Sequence, residues 1–120
     1  MKILFDTDFL FALFVPHDAH HQASKHLAPR LKSSERFVSR LVIFETATVL
    51  SYKVGQQMAI LFVKRLPSLG LNVIDVSIEI ERRAWEIFTS QTKKGTSFID
   101  CANLAIIEPE FLKPSFFAPS

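Results

Sequence analysis

Short apolar runs alternate with longer segments of helical character along this chain. The runs at residues 3–5, 36–38 and 72–76 are rich in branched and aromatic side chains and predict buried strands. The segments at about 9–14, 20–31, 39–54 and 57–66, and two more after residues 77 and 97, predict helices. Short strands that alternate with helices indicate an α/β fold in which helices flank a central parallel sheet.

Small polar residues and helix breakers mark the ends of these elements. Ser39, Ser77 and Ser97 each precede a helical segment and can act as N-caps. Gly55 and Pro109 follow helical segments and predict their ends. The helix after Ser77 is predicted to use one face for packing, and that face carries Ile80, Ala84, Ile87 and Phe88.

Composition places the chain among compact globular proteins. Its 120 residues are 48% hydrophobic and include twelve Phe, which is enough for one domain over residues 1–120 and excludes a mainly disordered chain. A net charge of +2 says little about partners. The single cysteine, Cys101, excludes an internal disulfide and suits a reducing compartment. The apolar start is interrupted by Asp6 and Asp8 and is too short to span a bilayer, so a cytoplasmic protein without a membrane partner is predicted.

Three separated carboxylates are the strongest chemical signal. Asp6 directly follows the first predicted strand, Glu45 lies in an apolar helix after the second strand, and Asp100 lies in the first turn of the last helix. In parallel sheets, ligands bind at the carboxyl ends of the strands, beside helix N-termini. We therefore expect the three to meet at that edge. Such a cluster would hold Mg²⁺ or Mn²⁺ and act on a phosphodiester.

Each acid also has a purely structural explanation when it is taken alone. Asp6 could end a strand or cap a helix, and Asp8 is better explained as an N-cap or first-turn residue than as a direct metal ligand. Glu45 could be an exposed helix residue, although its apolar neighbours favour a paired or metal-bound carboxylate. Asp100 stands three residues after Ser97, which is the spacing of a reciprocal cap. The three acids together favour a site more strongly than any one of them does alone.

Other candidate residues give weaker signals. His17 and His21 have helical spacing but lack a third zinc ligand, so solvated surface histidines are expected. Cys101 has apolar neighbours and is expected to be an inert buried thiol. The pair Lys93 and Lys94 precedes the last helix, where it could hold a phosphate backbone or simply form a solvated turn.

At these residues the chain resembles the PIN-domain ribonucleases, in particular the VapC toxins of VapBC toxin–antitoxin pairs. The matching segments, in order, are ILFDTDFLFALF, FVSRLVIFETATVLSYKVG and GTSFIDCANLAI. The resemblance implies a three-layer fold with a parallel sheet and a metal-dependent endoribonuclease that uses Mg²⁺ or Mn²⁺. It implies that Asp6, Glu45 and Asp100 bind the metal and that Thr7 supports the first aspartate. It also implies an RNA substrate, a cognate antitoxin and a homodimer. Asp8 stands where the family more often has Asn or Ser.

The C-terminal segment departs from the family pattern. The family usually continues into a strand that ends with a fourth acid, whereas this chain reads EPEFLKPSFFAPS and has no aspartate after Asp100. A truncated or altered strand near Phe116 and Phe117 is expected. A second interpretation follows from this departure: a catalytically impaired PIN domain that only binds RNA or a partner protein.

A third interpretation belongs to a different enzyme class. The segment ILFDTDFLF resembles the Asp-x-Asp nucleophile motif of haloacid-dehalogenase-type phosphatases. That class has Thr or Val two residues after the second aspartate, where this chain has Leu10, and it needs a later pair of acids that this sequence lacks. The ribonuclease interpretation is favoured over it.

Overall fold

The computed structural model describes residues 2–27, 29, 34–91 and 95–108. Three strands and six helices follow one another in that part of the chain. The strands are β1 (Lys2–Phe5), β2 (Glu35–Ser39) and β3 (Asn72–Ile74), and the helices are α1 (Thr7–Phe14), α2 (His21–Leu27), α3 (Arg40–Lys53), α4 (Gln56–Arg65), α5 (Ile78–Thr89) and α6 (Phe98–Ile107). A short 3₁₀ turn, Leu66–Leu69, follows α4. Among the described residues, no helix combines the length and the apolar character needed to cross a bilayer.

The sheet is parallel, has the order β1-β2-β3, and is covered on both faces. Ile3 and Phe5 of β1 belong to a core that also contains Phe9 of α1 and Phe62 of α4. Leu4 points to the opposite face, where it packs with Ile106 of α6. Consecutive buried residues are what a strand covered on both faces requires. The predicted α/β fold with helices on both sides of a parallel sheet is confirmed.

Most predicted elements are present, and the differences have a local cause. The third strand was predicted to reach Val76, but β3 ends at Ile74. Ile74 pairs with Ser39, the last residue of β2, so the residues after it have no partner in β2. The end of the predicted helix at 20–31, the Lys93–Lys94 turn and the strand near Phe116–Phe117 lie partly or wholly outside the described residues.

The predicted N-caps explain where three of the helices begin. The hydroxyl of Ser39 accepts a hydrogen bond from the Leu41 backbone N–H at 3.1 Å, and the hydroxyl of Ser77 accepts one from Ile80 at 3.1 Å. Each bond satisfies a donor that the first turn of a helix leaves free. Gly55 separates α3 from α4 with a φ of 145°, a backbone angle that favours glycine. The predicted end of the helix near Gly55 is therefore confirmed.

Candidate active site

A cleft of about 280 Å³ opens where acidic residues from α1, α3 and α6 approach one another. The three carboxylates singled out in the sequence line it. The three residues expected to support them also line it, namely Thr7, Asp8 and Ser97. Its described lining residues are Asp6, Thr7, Asp8, Phe11, Asp18, Glu45, Val49, Lys53, Ser97 and Asp100.

Asp6 joins the end of β1 to the start of α1. Its Oδ1 accepts a hydrogen bond from the Phe9 backbone N–H at 2.9 Å, so the carboxylate is the N-cap of α1. Only 8% of the residue is exposed. Asp6 therefore both caps α1 and contributes a carboxylate to the cleft. Asp8 lies in the first turn of α1, as predicted, and its side chain also reaches the cleft.

Glu45 is held by a contact between α1 and α3. The Thr7 hydroxyl donates a hydrogen bond to Glu45 Oε1. Thr7 was expected to support the first aspartate, whereas the bond that the structure shows goes to Glu45. The apolar neighbours of Glu45 suggested a buried stretch of helix, but Phe44 is 58% exposed and Glu45 itself is half-buried. A charged carboxylate is easier to keep in such a place than in a dry core.

Asp100 enters the cleft from the first turn of α6. The Ser97 hydroxyl accepts a hydrogen bond from the Asp100 backbone N–H at 3.1 Å, which is one half of the expected reciprocal cap. The Asp100 side chain lines the cleft. Ser97 thus fixes the turn of backbone that carries Asp100.

The acids of the cleft influence one another electrostatically. Burial, reinforced by the negative charges of Asp8 and Asp100 and partly offset by the Phe9 N–H, raises the pKa of Asp6 to about 6. Burial, followed by the charges of Asp100 and Asp18, also raises the pKa of Asp8. The cleft therefore favours any species that brings positive charge, whether protons or a cation.

The donor set fits a hard divalent cation. The acidic lining residues offer carboxylate oxygens, the ligands that Mg²⁺ and Mn²⁺ prefer. Within the described residues, however, no three His, Cys, Asp or Glu side chains form a ready-made direct coordination group. These carboxylates could hold such a cation directly or through the waters that Mg²⁺ commonly keeps.

Two charged residues of the cleft escaped the sequence analysis. Asp18 lies between α1 and α2, where its Oδ2 accepts a hydrogen bond from the His20 N–H at 2.9 Å. Only the tertiary fold brings this side chain back to the cleft, so the sequence held no signal for it. Lys53 is different: it lies eight residues after Glu45, and this spacing places the two on one side of α3.

Among the weaker candidates, three of the four histidines and Cys101 are placed as expected, whereas His21 is half-buried and bonded to the backbone. His17, His20 and His26 are exposed, and His21 Nδ1 donates to the Ala12 carbonyl oxygen at 2.6 Å. All four histidines are described, and none of them lines the cleft. Cys101 is a buried free thiol.

The two N-caps Ser97 and Ser77 offer a matched comparison. Each caps its helix through the same bond, but only Ser97 positions a carboxylate of the cleft. We expect Ser97→Ala and Ser77→Ala each to lower the free energy of unfolding by about 1 kcal/mol. Only Ser97→Ala should also reduce the rise in melting temperature on adding Mg²⁺. Equal metal-induced shifts in both variants would contradict a positioning role for Ser97.

Comparisons with known proteins identify the family of this chain. The PIN domain family matches residues 3–108. A VapC ribonuclease of Archaeoglobus fulgidus is 32% identical over 118 residues, which cover 94% of this chain and 74% of that protein. The 23S rRNA-specific endonuclease VapC20 of Mycobacterium tuberculosis is 27% identical over 114 residues, which cover 95% of this chain and 86% of that protein.

Solved structures give the same result for the fold. The crystal structure of M. tuberculosis VapC20, a sarcin–ricin loop cleaving toxin, superimposes with a TM-score of 0.82 at 27% identity and covers 92% of this chain and 84% of that one. VapBC2 from Rickettsia felis, bound to a DNA fragment, gives a TM-score of 0.60 at 19% identity over 88% of this chain and 82% of that one, which supports the fold alone. These matches favour a nuclease over a haloacid-dehalogenase-type phosphatase. The chain therefore belongs to the PIN-domain family and is a VapC-type ribonuclease.

Proposed function

We propose that Asp6, Glu45 and Asp100 hold Mg²⁺ or Mn²⁺ in the active site of this endoribonuclease. The observation that carries the proposal is that β1, α3 and α6 bring these three carboxylates to one cleft. PIN-domain nucleases act with divalent metal ions, and the oxygen donors of the cleft suit such ions. The choice of Mg²⁺ or Mn²⁺ rests on that donor chemistry.

The residues of the site have different roles in this proposal. Asp6, Glu45 and Asp100 would hold the cation, which would supply Lewis-acid stabilisation of the negative charge that develops on the phosphodiester. The Phe9 N–H holds Asp6, the Thr7 hydroxyl orients Glu45, and Ser97 fixes the start of α6. These contacts preserve the geometry of the carboxylates, which matters because small misplacements cost large factors in rate.

Three further residues of the cleft complete this assignment. Asp8 and Asp18 supply carboxylates that can orient the waters of the cation, in place of the fourth family acid that the sequence lacks. Lys53 brings a positive charge to the same cleft, where it can meet a phosphate oxygen. The altered C-terminal segment is therefore compatible with activity in this proposal.

The biological setting is proposed from the relatives. From the VapC relatives we propose that this protein is a toxin restrained by a cognate antitoxin. We also propose that it works in the cytoplasm as a homodimer and that residues 1–120 form one domain. Because VapC20 is a 23S rRNA-specific endonuclease that cleaves the sarcin–ricin loop, that loop is the first RNA to test.

The decisive experiment measures cleavage and metal binding together. A labelled sarcin–ricin-loop hairpin and an unstructured single-stranded RNA are incubated with wild type or Asp100→Asn, in Mg²⁺, Mn²⁺ or EDTA. We expect cleavage by wild type only when metal is present, and a fall in rate of about 100-fold or more in Asp100→Asn. Asp100→Asn should also lose the rise in melting temperature that metal causes.

Two results would count against this assignment. A metal-induced rise in melting temperature that survives in Asp100→Asn would remove Asp100 from the metal site. Metal binding by wild type without cleavage of either RNA would favour the impaired, binding-only PIN domain.

A further inference from the structure

Three aromatic rings form an exposed cluster on the neighbouring helices α5 and α6. The ring of Trp85 lies 4.1 Å from that of Phe98 and 5.7 Å from that of Phe88, and the Phe88 and Phe98 rings are 6.2 Å apart. Trp85 is 47% exposed and Phe88 is 39% exposed. We call Trp85, Phe88 and Phe98 the aromatic platform.

Packing between the two helices accounts for Phe98 but leaves much of Trp85 and Phe88 uncovered. The contact between α5 and α6 is filled by the buried residues Ala84, Cys101 and Ala102, against which the half-buried Phe98 packs. The Trp85 indole N–H donates to Glu81 Oε2 at 3.3 Å, a bond within α5 that steadies the ring while its surface remains open to solvent. Large rings that are held in place but left half-exposed are typical of binding surfaces.

The platform is continuous with the proposed active site. Phe98 is the first residue of α6, and the residues on either side of it in that first turn, Ser97 and Asp100, line the acidic cleft. The cleft and the platform thus lie on two sides of the start of one helix, which is about 10 Å across. A single strand of RNA with its phosphate in the cleft can pass around this helix start and place a nearby base on the rings.

The acidic charge of the cleft means that RNA would gain affinity mainly from contacts that do not depend on charge. The described lining of the cleft contains five carboxylates and one cation, Lys53, and the whole chain has a net charge of only +2. An RNA phosphate therefore gains little from the protein surface around the cleft before the cation is counted. Stacking of bases on aromatic side chains contributes to the binding of unpaired nucleotides without charge, and it is a main way in which proteins recognise single-stranded RNA.

We propose that the aromatic platform stacks an unpaired base of the RNA substrate close to the phosphate that is cleaved. The proposal rests on the ribonuclease site described above. It makes Trp85 a substrate-binding residue that contributes to affinity, and it predicts that the substrate must offer an unpaired base beside the cleavage position.

The first test uses the fact that Trp85 is the single tryptophan of the chain. Wild-type protein in EDTA is titrated with the sarcin–ricin-loop hairpin while tryptophan fluorescence is recorded. The same hairpin with abasic loop positions is the control, because it keeps the phosphates and lacks the bases. We expect saturable quenching by the intact hairpin and little quenching by the abasic one. Equal quenching by both, or none by either, would overturn the proposal.

The second test separates binding from chemistry. Trp85→Ala should raise KM for the hairpin about tenfold, in line with the loss of one stacked base, and should leave kcat nearly unchanged. Trp85→Phe should restore most of the affinity, since a ring remains. Tyr52→Ala is the matched control: Tyr52 is 89% exposed on α3 and lines a different pocket from the cleft, together with Gln56 and Ile60 of α4, so its removal should not change KM. Circular dichroism confirms that each variant is folded.

Three further outcomes distinguish base stacking on the platform from the alternatives. An unchanged KM in Trp85→Ala would overturn the proposal while leaving the ribonuclease assignment intact. A changed mass in light scattering, with unchanged RNA binding, would instead assign the platform to contact between copies of the chain. If wild type cleaves neither RNA, the proposed activity fails by itself, and the fluorescence titration still decides whether the rings bind bases.

Discussion

Asp6→Asn is expected to abolish RNA cleavage and, in metal-free buffer at pH 7.5, to make the protein more stable. Asn keeps a side-chain oxygen that can accept the Phe9 N–H bond, so the cap of α1 survives. The negative charge is lost, and with it a proposed metal ligand. Activity and stability should therefore change in opposite directions, which general damage to the fold cannot produce.

The size of the stability gain follows from the pKa of Asp6. Burial and neighbouring charges raise this pKa from 3.8 to about 6 in the folded chain. The folded state therefore binds more protons than the unfolded state between these values, and metal-free wild type loses stability as pH rises through that window. The full difference corresponds to about 3 kcal/mol above pH 6, or a melting temperature about 10 °C lower than without the charge.

Melting curves in EDTA at pH 4 and pH 7.5 check this prediction. Wild type and Asp6→Asn should melt at similar temperatures at pH 4, and the variant should melt higher at pH 7.5. Asp75→Asn is the control, because Asp75 is an exposed carboxylate whose pKa is lowered by its hydrogen bond and ion pair with Arg40. Its replacement should have only a small effect. An Asp6→Asn protein that is less stable than wild type at pH 7.5 would contradict the electrostatic account.

Of the substitutions considered, Phe62→Ala is expected to lower the free energy of unfolding the most. Phe62 of α4 is fully buried, belongs to the main core with Phe5 and Phe9, and meets Phe14 edge-on with ring centroids 5.3 Å apart. Removing such a ring leaves a cavity and costs about 4 kcal/mol, a large part of the total stability of a domain this size. Urea unfolding of wild type and variant measures the loss as a lower midpoint with an unchanged slope.

A neighbouring residue provides the control for this substitution. Ile60 lies on the same helix but is exposed, so Ile60→Ala should cost less than about 1 kcal/mol. Similar losses in the two variants would mean that the α4 face carrying Phe62 is not the packed one.

The sequence predicted the parts of the site that depend on local order along the chain. The strand that ends in Asp6, the cap at Ser97 and the parallel arrangement of strands were all visible as patterns, and together they led to the three carboxylates. Glu45 was found for a partly mistaken reason, since its helix has an exposed side at Phe44. Local patterns identify elements well, but they say less about which face of an element is covered.

The residues that escaped prediction depend on tertiary packing. Asp18 reaches the cleft only because the chain turns back after α1. Phe88 was expected to share the packing face of α5 with Ala84, yet Ala84 is buried and Phe88 is substantially exposed. Periodicity places both on one side of the helix but does not show how far the neighbouring helix covers it. The aromatic platform could therefore be recognised only in three dimensions.

The wide separation of Asp6 and Asp100 along the chain has a consequence for the synthesis of this enzyme. Domains fold from the N-terminus as they leave the ribosome, at roughly 5–20 residues per second. The helices α1 and α3 can pack early, but the proposed site lacks Asp100 until α6 has been made and has docked on α5. A growing chain would therefore be unable to assemble the proposed site until α6 has left the ribosome.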